Sequence, residues 1–240
     1  MALILGIETG TDICSVSLSR DDQLVALRES EGGQDHAGRL AVYIDEILRS
    51  NECEPDELAA IAVGKGPGSY TGLRIGVSTA KGLCYGLGIP LIAVGSPEAL
   101  AWVAAEDYEA GILDIDDWDN ALLCPMIDAR RMEVYAQVFS HSVEPVGEVR
   151  AEVVTPESFA EYIRPDREFV IFGNGAAKCV DVLPRDGVKL VEVTPSARGL
   201  VKPAFEAFNA RRFEDIAYFE PLYLKDFVVT ASRKNLLNNR

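Results

Sequence analysis

Several features of metalloenzymes, disulfide-rich proteins and nucleic-acid-binding proteins are missing from this sequence. Its five cysteines form no CxxC pair, and its two histidines, His36 and His141, share no motif. Zinc or iron catalysis and a disulfide framework are therefore not expected. Positive charge is also scarce, because 23 Lys and Arg residues stand against 38 Asp and Glu residues, a net charge of −15. Phosphate backbones are bound by clustered cations, so we expect any nucleic-acid role to depend on a partner.

No long apolar run predicts a leader peptide or a membrane segment. The first residues, MALILGIETG, carry no basic region, and Glu8 interrupts their short apolar run. A membrane-spanning helix needs about 20 apolar residues, so this run is predicted to be a core strand. We expect a cytoplasmic protein with reduced cysteines and no membrane attachment.

The first half alternates strands and helices in the manner of an α/β lobe. Three apolar or alternating segments separated by short polar turns predict a β-meander, and a helical stripe between Leu40 and Leu48 follows it. A buried strand then runs into a glycine-rich loop and a helix, and Ser96 begins a further helix after the next strand. The predicted strands cover residues 3–7, 13–18, 24–28, 58–63 and 90–94.

The second half repeats this order of elements. An apolar strand at 122–127 ends at Asp128, as the first strand ends at Glu8, and further strands are predicted at 132–139, near 149–154 and at 169–172. Thr155 is predicted to open one helix, and the turn Gly173-Asn174-Gly175 to open another. Strand, strand, strand, helix, strand, glycine loop and helix, twice over, indicate an internal duplication, so the fold class is α/β with two duplicated βββαβα lobes.

Two lobes are expected from this duplication. The N-terminal lobe covers residues 1–105 and is joined by a late helix at 196–210, and the C-terminal lobe covers 106–240 and ends in an irregular, basic tail. The acidic run at 106–119 between them is predicted to be a solvated linker or loop rather than a metal site. Both histidines are predicted to be solvated.

The stretch GKGPGSYTGLRIGVSTAKGLCYGLGIP, residues 64–90, organises the first half. Its buried face is predicted from Leu73, Val77, Ala80, Cys84 and Leu87, while a second line of the same helix carries almost no side chains. Each glycine inside a helix costs about 1 kcal/mol relative to alanine, so a close approach by another group must offset the loss. That group is either a partner helix or this chain's own sheet. The loop also invites comparison with a phosphate-binding loop, but GxxxxGK[ST] is absent.

A resemblance to a known family rests on motifs spread over nearly the whole chain. The motifs are LGIET at 5–9, GPGSYTGLRIG at 66–76, AKGL at 80–83, MIDAR at 126–130 and PLYL at 221–224. They resemble the bacterial TsaB (YeaZ) family, within the superfamily of actin, sugar kinases and Hsp70-like ATPases. This resemblance implies a non-catalytic subunit in the formation of N6-threonylcarbamoyladenosine at position 37 of tRNAs that read codons beginning with A.

The resemblance also implies partners and cofactors. The expected partners are the catalytic paralogue TsaD and the ATPase TsaE, with tRNA bound only through the complex and a homodimer formed by the chain alone. ATP and metal are expected at those partner subunits, and no cofactor is expected to be required by this chain. The predicted partner interface is the small-residue line of the glycine-rich helix: Gly72, Ile75, Gly76, Thr79, Gly82 and Gly86.

In this superfamily, two hairpin turns wrap the phosphates of a nucleotide. The corresponding residues here are weak nucleotide-binding candidates, because the second turn, Asp128-Ala129-Arg130-Arg131, has no glycine and backbone N–H groups approach phosphate best where side chains are absent. Arg130 is interpreted either as a phosphate ligand or as part of a surface or partner salt bridge. The nucleotide-binding candidates are Glu8, Thr9, Gly10, Asp128, Gly173 and Gly175.

The sequence leaves two functions open besides that of a non-catalytic adaptor subunit. One is a free-standing ATPase or small-molecule kinase of the same superfamily, which would bind Mg-ATP by itself. The other is a protease, which would need a metal, although the sequence contains neither HxxxH nor HExxH. We expect no catalytic residue and no metal site in this chain.

Overall fold

The computed structural model describes residues 1–33 and 35–225, and the predicted basic tail at 232–240 lies outside these residues. Two β-sheets with helices packed against them form the described part of the chain. The first sheet has the order β3-β2-β1-β4-β5 and the second the order β11-β10-β6-β7-β9, with β8 paired to β6. This arrangement confirms the predicted α/β class.

The first sheet follows the sequence patterns closely. Its outer strands β2 and β3 pair antiparallel to β1, whereas β4 and β5 extend it in parallel. Helices α1 and α2 pack their apolar stripes against one face, where the buried side chains Leu40 and Val77 join the core. The elements are β1 (Leu3–Glu8), β2 (Ser15–Arg20), β3 (Gln23–Glu29), α1 (His36–Ser50), β4 (Ala60–Gly64), α2 (Tyr70–Leu87) and β5 (Leu91–Val94).

The second sheet repeats the strand arrangement of the first. Its central strand β6 pairs antiparallel with β7 and parallel with β10, as β1 pairs antiparallel with β2 and parallel with β4. The strand predicted at 132–139 is broken into two pieces. The strands are β6 (Leu122–Asp128), β7 (Glu133–Ala136), β8 (Phe139–Ser140), β9 (Arg150–Val153), β10 (Phe169–Phe172) and β11 (Val188–Leu190).

The two helices predicted at Thr155 and after Gly175 are wrong, whereas the late helix predicted at 196–210 is present as a 3-10 turn, Ala197–Leu200, and a helix, Val201–Asn209. Residues 156–162 form consecutive turns instead of a helix, and the segment after Gly175 contains a 3-10 turn, Ala177–Cys179. Phe159 has a positive φ of 62°, which ends any helix that starts at Pro156. The duplication is therefore clear in the strands and much weaker in the helices.

Helix α3 (Ser96–Glu109) lies between the two sheets together with a 3-10 turn, Ala197–Leu200, and helix α4 (Val201–Asn209). Ala99 and Leu200 pack against the first sheet, whereas Leu100 and Val103 pack against the second. A helix that is apolar on all sides is expected in such a buried position.

The prediction that the acidic run at 106–119 is a solvated linker is partly wrong. Glu106 and Asp107 belong to the last turns of α3, and both carboxylates bind the guanidinium of Arg198 at 3.0 and 2.7 Å. This ion pair fixes α3 to the 3-10 turn beside it, so the start of the acidic run has a structural role.

The described part of the C-terminal segment lies against the first sheet, although the sequence grouped it with the second lobe. Its backbone N–H groups at Glu214 and Leu222 donate to the carbonyls of Leu91 and Lys65 at 2.9 and 2.7 Å. Phe219 packs against the core of the first sheet. Extended chain with a proline at 221 cannot form a helix and instead satisfies its backbone groups along β5 and the glycine-rich loop.

Candidate docking surface and the cleft between the lobes

The turn after β1 is closed by contacts within the chain. Glu8 is 3% exposed, and its carboxylate accepts hydrogen bonds from the Gly10 N–H at 2.6 Å and from the Ser96 hydroxyl at 3.1 Å. Burial raises the pKa of Glu8, and the two hydrogen bonds oppose this rise. The carboxyl group therefore already has polar partners inside the protein.

This same turn fills the space beside the first glycines of α2. A Cβ atom on Gly72 would lie 2.0 Å from the Thr9 carbonyl oxygen, and one on Gly76 would lie 2.2 Å from the Thr9 hydroxyl. The Thr9 hydroxyl in turn donates to the Gly72 carbonyl at 2.8 Å. Gly72 and Gly76 are therefore buried against the chain's own turn, which corrects the prediction that a partner contacts them.

His36 does not lie in solvent as predicted. It is 6% exposed at the start of α1, and its Nε2 lies 2.7 Å from the Thr11 carbonyl oxygen. Its ring also borders Gly72. His36 thus holds the end of the first turn in place beside α2.

The turn after β6 is held by a cation of the chain itself. Arg130 and Arg131 have positive φ angles of 66° and 49°. The Lys178 ammonium pairs with the Asp128 carboxylate and donates to the carbonyls of Arg131 and Glu133 at 2.8 and 2.7 Å. Three oxygens of the turn therefore face an ammonium group.

The glycine loop after β10 also packs against this second turn. Gly173 has a φ of 93°, and a Cβ atom on Gly175 would lie 2.9 Å from the Asp128 nitrogen. The Asn174 side chain accepts from the Asp128 N–H at 3.0 Å and donates to Asp12 of the first lobe at 3.4 Å. Close packing therefore suffices to explain why positions 173 and 175 are glycine.

The cavity beside the first turn is small. A cavity of about 10 Å³ is lined by Glu8, Thr11, Ser96 and Ile127 among others, room for about one water molecule. Small-molecule sites usually measure about 300 Å³ or more. A larger groove of about 440 Å³ lies at the β11 edge of the second sheet, near Lys189, and contains none of the predicted site residues.

The outer face of α2 is open at its C-terminal half. Nothing lies within 4 Å of a Cβ atom built on Gly82 or Gly86, and Tyr85 between them is 84% exposed. Thr79 is half-buried on the same line, and Ile75 is half-buried and packs against the first core. We call Thr79, Gly82, Tyr85 and Gly86 the outer α2 face.

The C-terminal segment borders the outer α2 face, which the sequence did not predict. Lys81 donates to the carbonyls of Ala217 and Phe219 at 3.4 and 3.0 Å, so it fixes the segment along the helix. Tyr218, between those two carbonyls, is 85% exposed. The PLYL motif at 221–224 lies just after Ala217 and Phe219 in the chain, but nothing in the sequence indicates which element the segment meets.

An aromatic cluster continues the surface at the other end of α2. The rings of Tyr70 and Tyr223 lie 4.9 Å apart, and the Arg74 guanidinium lies 4.8 Å from the Tyr70 ring. Burial raises the pKa of the Tyr223 phenol, and the charge of Arg74 opposes that rise. This cluster joins α2 to the C-terminal segment.

Within residues 1–33 and 35–225, no three His, Cys, Asp or Glu side chains are grouped as metal ligands. No helix in this part of the chain is long and apolar enough to cross a bilayer.

The fold is that of a duplicated α/β protein, and it is shared with solved structures of other proteins. The activator of the 2-hydroxyisocaproyl-CoA dehydratase from Clostridium difficile, solved with bound ADPNP, superposes with a TM-score of 0.50 over 88% of this chain and 96% of its own. It is 9% identical in sequence, so the likeness concerns the fold alone.

Sequence comparisons identify the family within this class. Residues 27–179 match the family model described as TsaD, tRNA N6-adenosine threonylcarbamoyltransferase. The tRNA threonylcarbamoyladenosine biosynthesis protein TsaB of Escherichia coli (strain K12) is 29% identical over 231 residues, 94% of this chain and 95% of its own length. YeaZ from Pseudomonas aeruginosa is 27% identical, with a TM-score of 0.74 over 93% of this chain and 100% of that one.

The chain belongs to this family of tRNA threonylcarbamoyladenosine proteins, and within it to the TsaB (YeaZ) proteins. It takes part in tRNA threonylcarbamoyladenosine biosynthesis.

Proposed function

We propose that this chain is a non-catalytic, activating subunit of the complex that forms N6-threonylcarbamoyladenosine at position 37 of tRNAs that read codons beginning with A. It acts by pairing with a TsaD-like catalytic paralogue, and a TsaE-like ATPase works with the pair. ATP and metal act at those partner subunits. When it is alone, the chain pairs with a second copy through the same surface, because pseudo-equivalent surfaces pair readily with themselves.

The observation that carries this proposal is the outer α2 face. Gly82 and Gly86 leave the helix backbone uncovered on both sides of Tyr85, and the added Cβ atoms would meet nothing. The glycines cost helix stability without packing against anything in the described chain. A partner helix that approaches the backbone closely would offset that cost, with Tyr85 as a large anchor in the contact.

The closed first turn supports the absence of independent catalysis. Both oxygens of the Glu8 carboxylate accept hydrogen bonds from within the chain, and the adjoining cavity of about 10 Å³ is far smaller than a nucleotide. The second turn directs its carbonyls and Asp128 toward the Lys178 ammonium. This arrangement favours docking over phosphate binding.

A substitution at Gly82 tests the docking surface. Gly82→Leu places a bulky side chain in open space, so the isolated chain should remain folded and become slightly more stable, since leucine favours a helix by up to about 1 kcal/mol over glycine. Co-purification with the TsaD-like paralogue should fall to background. Asn209→Leu, an exposed position on α4, is the matched control and should leave pairing intact.

Retention of the paralogue by Gly82→Leu at the wild-type ratio would exclude the outer α2 face as the interface. Calorimetry with Mg-ATP on the isolated wild-type chain tests the competing ATPase or kinase function. We expect no heat of binding at micromolar concentrations. Micromolar affinity together with turnover would replace the adaptor by an enzyme.

A further inference from the structure

A cluster of cations stands at the second turn of this strongly acidic chain. We call Arg130, Arg131, Lys178 and Lys225 the basic rim. Arg130 and Arg131 belong to the turn after β6, Lys178 follows β10, and Lys225 comes from the C-terminal segment. Four cations from three separate parts of the chain therefore meet in one place, although the net charge of the whole protein is −15.

Electrostatic contacts show that these groups face one another. Lys225 pairs with the Glu133 carboxylate on β7, and Lys178 pairs with Asp128 and donates to the Glu133 carbonyl at 2.7 Å. The charges of Lys225 and Arg130 both lower the pKa of the Tyr135 phenol, although burial raises that pKa overall. The rim is thus built around β7, with a phenol close to two of its cations.

The two lysines and the two arginines of the rim differ in their pairing. Each lysine has a carboxylate partner, whereas neither Arg130 nor Arg131 has one among the described residues. Both arginines are exposed, and both have left-handed backbone conformations at the tip of the turn. Lys178 holds the carbonyls of Arg131 and Glu133, so the turn exposes two guanidinium groups that have no carboxylate partner within residues 1–33 and 35–225.

The basic rim continues directly into the aromatic cluster of α2. Tyr223 precedes Lys225 by two residues and packs on Tyr70, which in turn lies under Arg74. Two residues span at most about 7 Å, so a short path from α2 to β7 runs from Arg74 over the rings of Tyr70 and Tyr223 to Lys225. Guanidinium groups with neighbouring aromatic rings are the usual composition of RNA-binding surfaces.

We propose that the basic rim binds the sugar-phosphate backbone of the tRNA when this chain is part of the modification complex. This inference rests on the proposed function and deepens it, because it gives the adaptor its own contact with the substrate. It changes the expectation that tRNA is held only through partner subunits.

The shape of the rim favours an RNA backbone over a free nucleotide. Arg130 and Arg131 lie on a projecting turn, and neither the cleft cavity nor the groove at β11 includes a rim residue. A pair of exposed, adjacent guanidinium groups fits successive phosphates of a chain. The overall negative charge opposes long-range attraction, so the rim binds RNA weakly in the isolated chain and more tightly once a partner has placed the RNA beside it.

The test uses the double variant Arg130→Gln/Arg131→Gln, which removes two charges and keeps side chains of similar length. Arg211→Gln/Arg212→Gln is the matched control, since these are also adjacent exposed arginines and Arg211 also has a positive φ, of 53°. Each variant is purified with the TsaD-like paralogue, and assembly is measured first. Binding of unmodified tRNA is then titrated at several salt concentrations.

The rim variant should assemble normally and bind tRNA about tenfold more weakly, with a salt dependence of log K shallower by about 1.5. The control should match the wild type in both assembly and binding. Equal affinity and equal salt slope for the two variants would overturn the proposal. Loss of assembly in the rim variant alone would overturn it too, and would assign the rim to an acidic surface of the partner protein.

Assembly and RNA binding are separate readouts, so the two proposals fail separately. If the wild type itself does not assemble with the paralogue, the proposed function fails, and the same tRNA titration is run at low salt on the isolated full chains. The rim variant should still bind more weakly than the control. Weakened binding of free ATP with unchanged tRNA affinity would mean that the rim is a nucleotide site instead.

Discussion

The glycine loops after β4 and β10 occupy equivalent places in the two halves, and they lead to different structures. After β4 the chain forms α2, 18 residues long, whereas after β10 it forms a 3-10 turn of three residues. The long helix packs its first glycines on the turn after β1 and leaves its other end open. The short turn brings Lys178 against Asp128. The first half thereby presents an open helix surface, and the second half holds its turn with a lysine of the chain itself.

The largest expected effect on stability comes from substitution of Gly72. Gly72→Ala should destabilise the protein by about 3 kcal/mol, because its Cβ would lie 2.0 Å from a backbone oxygen that cannot move aside easily. Gly82→Ala, on the same helix, should stabilise it by about 1 kcal/mol. Urea denaturation of the two variants measures both. Equal effects would contradict the assignment of Gly72 to internal packing.

Lys178→Met tests the turn after β6 in the second half. Removal of the ammonium leaves the Asp128 carboxylate and two carbonyls without their cation, so the free energy of unfolding should fall by about 1 kcal/mol, a modest value because Asp128 is 44% exposed. The double variant with Asp128→Asn should recover part of this loss. If the two single losses simply add in the double variant, the pair does not stabilise the turn.

Glu8→Gln tests the first turn through pH. The pKa of Glu8 is raised in the folded state, so its stabilising contribution is present below the unfolded pKa of about 4.3 and is lost as pH rises through the folded value. Glutamine has no charge, and it can keep both contacts if its carbonyl accepts from the Gly10 N–H and its amide donates to the Ser96 hydroxyl. The variant should therefore gain stability relative to the wild type as pH rises from 4 to 8.

Chemical denaturation at stepped pH measures this change, with the exposed Glu220→Gln as control. A stability difference between Glu8→Gln and wild type that stays constant with pH would show that Glu8 is no more protonated in the folded state than in the unfolded state. The expected change in stability is the smallest of the three, because burial raises the pKa of Glu8 while its hydrogen bonds lower it.

The strands were predictable because their apolar runs and polar turns are local. The run at 3–7 and its equivalent at 122–127 both became central strands that end in an acidic residue. The two helices predicted at Thr155 and after Gly175 did not form, because cap residues alone do not determine a helix. In the first of these segments Phe159 takes a left-handed conformation, which no cap residue reveals.

The sequence predicted a partner interface along the small-residue line on α2, and that interface stays a prediction. The sequence could not tell which of its glycines meet the chain itself. Gly72 and Gly82 look alike in the pattern and differ because Thr9 reaches one of them and nothing reaches the other. The C-terminal segment beside Lys81 was also missed, since its position depends on backbone hydrogen bonds to distant residues.

We propose that this chain acts through the outer α2 face and not through chemistry at its own turns. The direct measurement is threonylcarbamoyladenosine formation on tRNA, reconstituted with the TsaD-like and TsaE-like subunits and a source of threonylcarbamoyl-adenylate. Gly82→Leu should reduce product to the level seen without this chain, whereas Glu8→Gln should retain wild-type activity. Full activity with Gly82→Leu would contradict the proposed role of the outer α2 face. Loss of activity with a folded Glu8→Gln would contradict the proposed absence of chemistry at the first turn.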